Sequence, residues 1–148
     1  MGKWDLPESE NLPIGPEVAE KAVKELIAYY HVDVANIPNA KDKRAVEASL
    51  NSLQKAYRAG YLENVREGGA LKVKQHLQDP PGEMRELVYG KMQGKHKRAS
   101  DGFEENDRYA RIYAILASLS GNPPEVLEAL SKVDCDLAEA LGLVFLLG

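Results

Sequence analysis

Apolar residues recur every three to four positions over two N-terminal stretches, which is the spacing of one face of an α-helix. The first stretch begins at Pro16, a residue favoured at the first helical position, and ends near Tyr30. The second runs from about Ala40 to Ala59, and Gly60 follows where a helix end favours a left-handed residue. The sequence therefore predicts a helix pair. The expected apolar faces comprise Val18, Ala22, Val23, Leu26, Ile27 and Tyr30, then Val46, Leu50, Leu53 and Tyr57.

Between residues 61 and 90 the period shortens to two, as in β-strands with one buried face. Apolar side chains and Gln75 alternate with lysines and His76 in the clearest of these strands. Paired glycines and a Pro-Pro-Gly sequence interrupt the pattern and indicate turns. The predicted antiparallel meander comprises Tyr61–Val65, Leu71–Leu77 and Arg85–Tyr89, with turns at Gly68-Gly69 and Pro80-Pro81-Gly82.

The C-terminal region returns to the helical period. A helix is predicted from about Phe103 to Ser120, and Gly121 should end it. Asn122 is expected to cap a short helix that continues through Leu130, and Asp134 to cap a last, strongly apolar helix. The expected apolar faces are Tyr109, Ile112, Leu116 and Leu119, then Leu137, Leu141, Val144 and Phe145.

Together these elements predict an α+β fold that is predominantly helical. Residues 1–15 read as an extended arm, and residues 16–148 as a single domain. Trp4 in the arm is expected to pack onto the domain or onto a partner, because a large indole is costly to leave in water. Within the domain we expect a helix pair at 16–60, a β-meander at 61–90, a basic loop at 91–102 and three helices at 103–148.

The composition favours an intracellular globular protein. The chain has 148 residues and a single cysteine, so it cannot form an internal disulfide, which suits a reducing compartment. The first ten residues lack the apolar centre of a signal peptide, and no stretch approaches the 18 apolar residues of a membrane span. We therefore expect a cytoplasmic protein that does not enter a membrane.

None of the reactive side chains falls in a pattern typical of catalysis. Cys135 lies between two aspartates, which should raise its pKa and disfavour the nucleophilic thiolate. The histidines His31, His76 and His96 have no second ligand at a metal-binding spacing. The segment Gly90–Lys95 is one residue too short for a phosphate-binding loop, and a histidine follows its lysine instead of serine or threonine. The sequence predicts no catalytic residue, cofactor or metal.

Charge is distributed unevenly along the chain. Residues 61–100 carry eight basic and five acidic side chains, whereas residues 101–148 carry three basic and nine acidic ones. The densest basic cluster is Lys91, Lys95, Lys97 and Arg98, with His96 among them. Three interpretations stay open for it: a solvated loop, a contact with an acidic protein, or a nucleic-acid contact made through released counterions. The cluster lacks the interleaved aromatic residues typical of nucleic-acid binding.

Residues 70–148 form one recognisable succession of motifs. The first motif is a strand that ends in ELVYGKMQGKHKRA, and the second is the helix RYARIYAILASLSG. A short helix then opens with NPPEVLEAL, and the last helix is DLAEALGLVFLL. This order resembles the tail assembly chaperones of tailed bacteriophages and prophages, most clearly from Ile112 to Leu147. The resemblance covers about half of the chain and does not include the first 60 residues.

The resemblance implies a non-enzymatic protein of the bacterial host cytoplasm that binds the tape measure protein and other tail components before assembly. The alternative is a nucleic-acid-binding regulator of a mobile element that uses the basic loop. A homo-oligomer is also left open, since the final helix is apolar on most sides. The C-terminal residues considered either as core or as partner contacts are Ile112, Leu116, Leu119, Val126, Leu127, Leu141, Val144 and Phe145.

Overall fold

The computed structural model describes residues 12–91, 93, 103 and 107–147, and over these the chain is an α+β protein. Within these described residues, five α-helices and one three-stranded antiparallel sheet follow the predicted order. The elements are α1 (Pro16–Tyr29), α2 (Ala40–Ala59), β1 (Leu62–Glu67), β2 (Ala70–His76), β3 (Glu86–Tyr89), α3 (Arg108–Ser120), α4 (Pro124–Glu128) and α5 (Lys132–Leu147). None of the helices described has the length and apolar content that crossing a lipid bilayer requires.

The N-terminal helix pair closely matches the expected bounds. The Asn39 side chain caps α2 by accepting the backbone N–H groups of Lys41 and Asp42. Gly60 ends the helix with a φ of 80°, the left-handed conformation that glycine adopts without strain. The expectation for Val18 is wrong, because its side chain is 61% exposed. The buried face of α1 consists of Ala19, Val23 and Leu26. Val18 precedes Ala19 by one position, and because successive helical residues point about 100° apart, its side chain lies outside this face.

The sheet has the order β1-β2-β3, and β2 is its central strand. Val73 lies opposite both Asn64 on β1 and Tyr89 on β3, which sets the register of the two pairings. Gly68 and Gly69 both have positive φ, at 57° and 84°, as the tight turn between β1 and β2 requires. One face of the sheet packs on the helices, and the opposite face carries charged side chains paired across the strands.

Three details of the C-terminal helices correct the sequence expectations. Helix α3 begins at Arg108, capped by the Asp107 side chain, and Phe103 lies outside it. Asn122 does not cap α4, because Pro123 occupies that position and the Asn122 amide donates to the Ser120 carbonyl. Asp134 lies within the first turn of α5 instead of preceding it.

Helix α5 forms the centre of the helical layer, where it packs against both α2 and α3. The crossing with α3 is close at Gly142. A Cβ atom there would collide with the branched side chain of Ile112 and crowd Leu116. Gly142 therefore allows the two helix backbones to approach, and the core around this crossing is continuous with the buried face of the sheet.

Candidate binding site

The apolar residues proposed as partner contacts lie in the hydrophobic core. Seven of them are buried, and the eighth, Val126, is half-buried and packs against the core. In the isolated chain they are inaccessible to a partner, so the core interpretation is the one that the structure supports. The seven buried residues are Ile112, Leu116, Leu119, Leu127, Leu141, Val144 and Phe145.

The remaining predicted contact residues are mostly beyond the described part of the chain. Lys91 follows β3 and is exposed. Trp4, Lys95, Lys97 and Arg98 lie outside the described residues. The interpretations given to the basic loop therefore stay predictions.

A cleft of about 950 Å³ opens between α2, α3 and α5. Its floor is a single face of α5, because the lining residues are spaced by three, one and three positions. The two N-terminal members of this face are acidic and the two C-terminal members are apolar. The four floor residues, in chain order, are Asp136, Glu139, Ala140 and Leu143.

The walls of the cleft come from two helices distant in sequence. The α2 wall contains the small residues Ala48, Ser49 and Ser52, whose short side chains leave space above α5. The α3 wall contains Tyr109, which is 64% exposed although the sequence pattern assigned it to the buried face. Since α3 begins only at Arg108, Tyr109 occupies its first turn and projects at the cleft rim. The other lining residues are Asn39, Lys41 and Asp42 from the start of α2, and Asp107, Arg108 and Ile112 from α3.

One ion pair joins the two walls. The Arg108 guanidinium donates to the Asp42 carboxylate at 2.8 Å, across 66 positions of sequence. Both side chains are partly exposed, so solvent screens the pair and its contribution to stability is modest. The pair links the N-terminal ends of α2 and α3 beside the cleft.

The cleft carries more negative than positive charge. Asp42, Asp107, Asp136 and Glu139 line it, against Lys41 and Arg108. Lys132, which is outside the lining, also pairs with Asp136 at 3.0 Å through a highly exposed side chain. Among the described residues, with Lys132 included, four carboxylates stand against three cations, a small acidic surplus that is complementary to a positively charged occupant.

Beside the cleft, Tyr113, Cys135 and Glu139 form a hydrogen-bonded cluster. The Glu139 carboxylate accepts from the Tyr113 hydroxyl at 2.8 Å and from the Cys135 thiol at 3.1 Å. The Tyr113 oxygen and the Cys135 sulfur are also in contact, at 2.7 Å. The three groups are hydrogen-bonding partners of one another.

Burial raises the pKa of the Cys135 thiol to about 11, and the hydrogen bond and charge of Glu139 act in the same direction. The hydrogen bond from Tyr113 opposes them, while Asp136 makes a smaller contribution that raises the pKa. The pKa of Tyr113 is also raised, first by burial. The direction expected from the sequence is confirmed, although the main cause is burial and not the flanking aspartates. At neutral pH this thiol is protonated and a poor nucleophile.

Asp134 fixes the start of α5 to the loop after β2. Its buried carboxylate accepts the backbone N–H groups of Gln78 and Asp79, at 2.8 and 3.0 Å, and the Ser131 hydroxyl. Its carbonyl oxygen accepts from the Gln75 amide, whose own oxygen accepts from the Tyr89 hydroxyl. We call these residues, Gln75, Gln78, Asp79, Tyr89, Ser131 and Asp134, the Asp134 clamp. Its hydrogen bonds are complete, which identifies it as a structural element.

On the outer face of the sheet, His76 lies between two glutamates. Its ring nitrogens are 3.0 Å from Glu63 and 3.8 Å from Glu86. Across the described residues, no group of three histidine, cysteine or acidic side chains has the geometry of a metal site. The surface position predicted for His76 agrees with this location.

No protein-family model, curated protein or solved structure matches the chain. The cleft is therefore assessed from its own geometry. Sequence reasoning missed it because its three sides are far apart along the chain. Tyr109 was the one available signal in the sequence. Recognising that its side chain is exposed would have required a correct prediction of the residue at which α3 begins.

Proposed function

We propose that this chain is a non-enzymatic assembly protein that binds another protein, and that it acts as a tail assembly chaperone of a phage or prophage in the bacterial cytoplasm. The observation that carries the proposal is the open cleft between α2, α3 and α5. Its volume is at the upper end of the range of about 300–1,000 Å³ typical of ligand sites. An open cleft bordered by helices suits a segment of a partner chain better than a small enclosed molecule.

The chemistry around the cleft supports binding over catalysis. The reactive group nearest to it, the Cys135 thiol, has a pKa of about 11 and is hydrogen-bonded within the chain. The Asp42 and Arg108 side chains are paired with each other. These groups are arranged to hold the helices and to present charge, which is the arrangement expected of a recognition surface.

The order of elements from β2 to α5 is the order on which the resemblance to tail assembly chaperones rests. The apolar residues of the resembling segment form the core. The resemblance therefore concerns residues that maintain the fold, and the proposed contact surface is the other side of α5, where Asp136, Glu139 and Leu143 face the cleft.

Co-expression with a phage tape measure protein tests this function. We expect a complex that survives affinity purification and elutes as one species in size-exclusion chromatography with light scattering. Two separate elution peaks for the proteins, at micromolar concentration, would contradict the proposal. Duplex DNA is titrated in parallel at low salt, and binding that weakens steeply with added salt would favour the nucleic-acid alternative.

A further inference from the structure

The cleft is bordered by three helices along a length that suits one additional helix. Helix α5 presents one face, from Asp136 to Leu143, between α2 on one side and the first turns of α3 on the other. The α2 residues that line it extend from Lys41 to Ser52, which corresponds to about 16 Å along the helix axis. This length matches about three turns of an added helix.

The walls favour a helical occupant over an extended one. An extended segment needs backbone partners for its own N–H and C=O groups, as a sheet edge provides them. The cleft is bordered by α2, α3 and α5, whose interior backbone groups are already bonded within each helix. A helix satisfies its own backbone, and the short side chains of Ala48, Ser49 and Ser52 let it approach closely.

The chemistry of the lining defines the side chains of the occupant. Tyr109 at the rim and Leu143 on the floor offer apolar contact. Among the lining residues that the structure describes, four carboxylates stand against two cations, and residues 101–148 of the sequence carry nine acidic and three basic side chains. An occupant with apolar residues on one side and lysine or arginine along its edges is complementary to both features.

We propose that the cleft binds an amphipathic, basic α-helix of the protein partner, which packs against α2, α3 and α5 as an additional helix. This inference rests on the proposed function for the source of the helix, and on the cleft alone for its chemistry.

Synthetic helical peptides of 18 residues test the chemistry directly with the full-length protein. The probe has leucines at i, i+3, i+4 and i+7 and lysines at the flanking positions. One control peptide replaces the lysines with glutamates, and a second has the same composition in an order that abolishes the apolar face. We expect the basic amphipathic peptide to bind at least tenfold more tightly than either control in fluorescence anisotropy, and its affinity to fall with added salt. Equal binding of the three peptides, or binding of none, overturns the proposal.

Matched tryptophan variants test the location. Ala48 lines the cleft, and Ala28 is an exposed alanine on α1 that does not. We expect Ala48→Trp to fill the cleft and weaken peptide binding by about tenfold or more, and Ala28→Trp to leave it unchanged. Similar affinities for the two variants contradict the proposal.

A second pair of variants avoids steric strain. Tyr109 and Val18 are similarly exposed, but only Tyr109 lines the cleft. We expect Tyr109→Ala to weaken peptide binding by about threefold to tenfold, and Val18→Ala to leave it unchanged. An unchanged affinity of the Tyr109→Ala protein would count against the cleft even if Ala48→Trp failed to fold.

The two proposals fail in different ways. If the tape measure protein does not bind but the basic peptide still does, the cleft inference holds and the tail function is wrong. If the tape measure protein binds equally to the Ala48→Trp and Ala28→Trp proteins, the function holds and the cleft inference is wrong. If the protein alone forms a dimer that Ala48→Trp dissociates, the occupant is a second copy and the proposal of a partner helix is overturned.

Discussion

Asp134 and Asp136 lie two residues apart on α5 and contact different parts of the molecule. The Asp134 carboxylate is buried and accepts three hydrogen bonds from groups that hold the loop after β2. Asp136 lines the open cleft and pairs with the exposed Lys132. Helix α5 thus has one side that contributes to the core and another side that lines the cleft. The two aspartates are chemically identical, and their positions on the helix decide which part of the molecule each one contacts.

The Asp134 clamp provides the largest test of this contrast. Asp134→Ala removes the acceptor of three hydrogen bonds in a buried site, so we expect the free energy of unfolding to fall by about 3 kcal/mol. Asp136→Ala is the comparison variant, and it should cost less than Asp134→Ala because the Lys132 partner of Asp136 is 79% exposed and solvent screens this ion pair. Urea denaturation of both variants measures the difference. Equal losses would mean that the two faces of α5 do not differ as described.

Gly142 tests the buried side of α5 independently of charge. Gly142→Ala introduces a methyl group against the Ile112 side chain at the α3 crossing, so we expect a loss of about 2 kcal/mol despite the better helix propensity of alanine. Gly82→Ala is the control, because the space around a Cβ there is empty. Thermal and urea denaturation compare the two variants. A stabilised Gly142→Ala protein would contradict the close crossing.

Cys135 lies between the two aspartates and sharpens the comparison by its pH dependence. Its folded pKa of about 11 exceeds the ordinary value of 9.0, so the stability contribution is complete below pH 9 and is lost as pH rises from about 9 to 11. Alkylation by iodoacetamide should be slow at pH 7 in the folded protein and increase about tenfold per pH unit toward pH 11.

The glutamate beside this thiol offers a direct control. Glu139→Gln removes a charge that raises the pKa of Cys135, so its alkylation at pH 8 should be faster than in the unmodified sequence. Fast modification of the native protein at pH 7, with a rate equal to that of the urea-unfolded chain, would show that the thiol is not held as described.

The ion pair across the cleft should have the smallest effect on stability. A double-mutant cycle of Asp42→Ala and Arg108→Ala is expected to give a coupling energy of about 0.5 kcal/mol, lower at high salt, because both side chains are partly exposed. A coupling energy above about 2 kcal/mol would show that this pair stabilises the fold in the way that the contacts of the Asp134 clamp do.

The sequence predicted the regular elements well because their signals are local. Asn39 and Gly60 bound α2 through their own side chain and backbone conformation. The glycine pair fixes the β1–β2 turn. Periodicity was less informative about which neighbouring residue faces the core, so Val18 and Tyr109 were assigned to buried faces although both are exposed.

The candidate site was not predictable in the same way. It depends on how helices distant in sequence pack, as at the close approach of α3 to Gly142 on α5 and at the Asp42–Arg108 contact, which spans 66 positions. The C-terminal residues expected as core or contact could be divided only when burial was known. Their pattern indicates an apolar helix, and it does not indicate which side of α5 remains open.

Chemical-shift mapping of the complex with the tape measure protein tests the central claim most directly. We expect the largest changes in amide signals along the cleft, at Ala48, Ser52, Tyr109 and Leu143. The outer face of the sheet, including Lys74 and His76, should change little. Changes concentrated on that sheet face, with the cleft residues unaffected, would contradict the assignment of the cleft as the binding site.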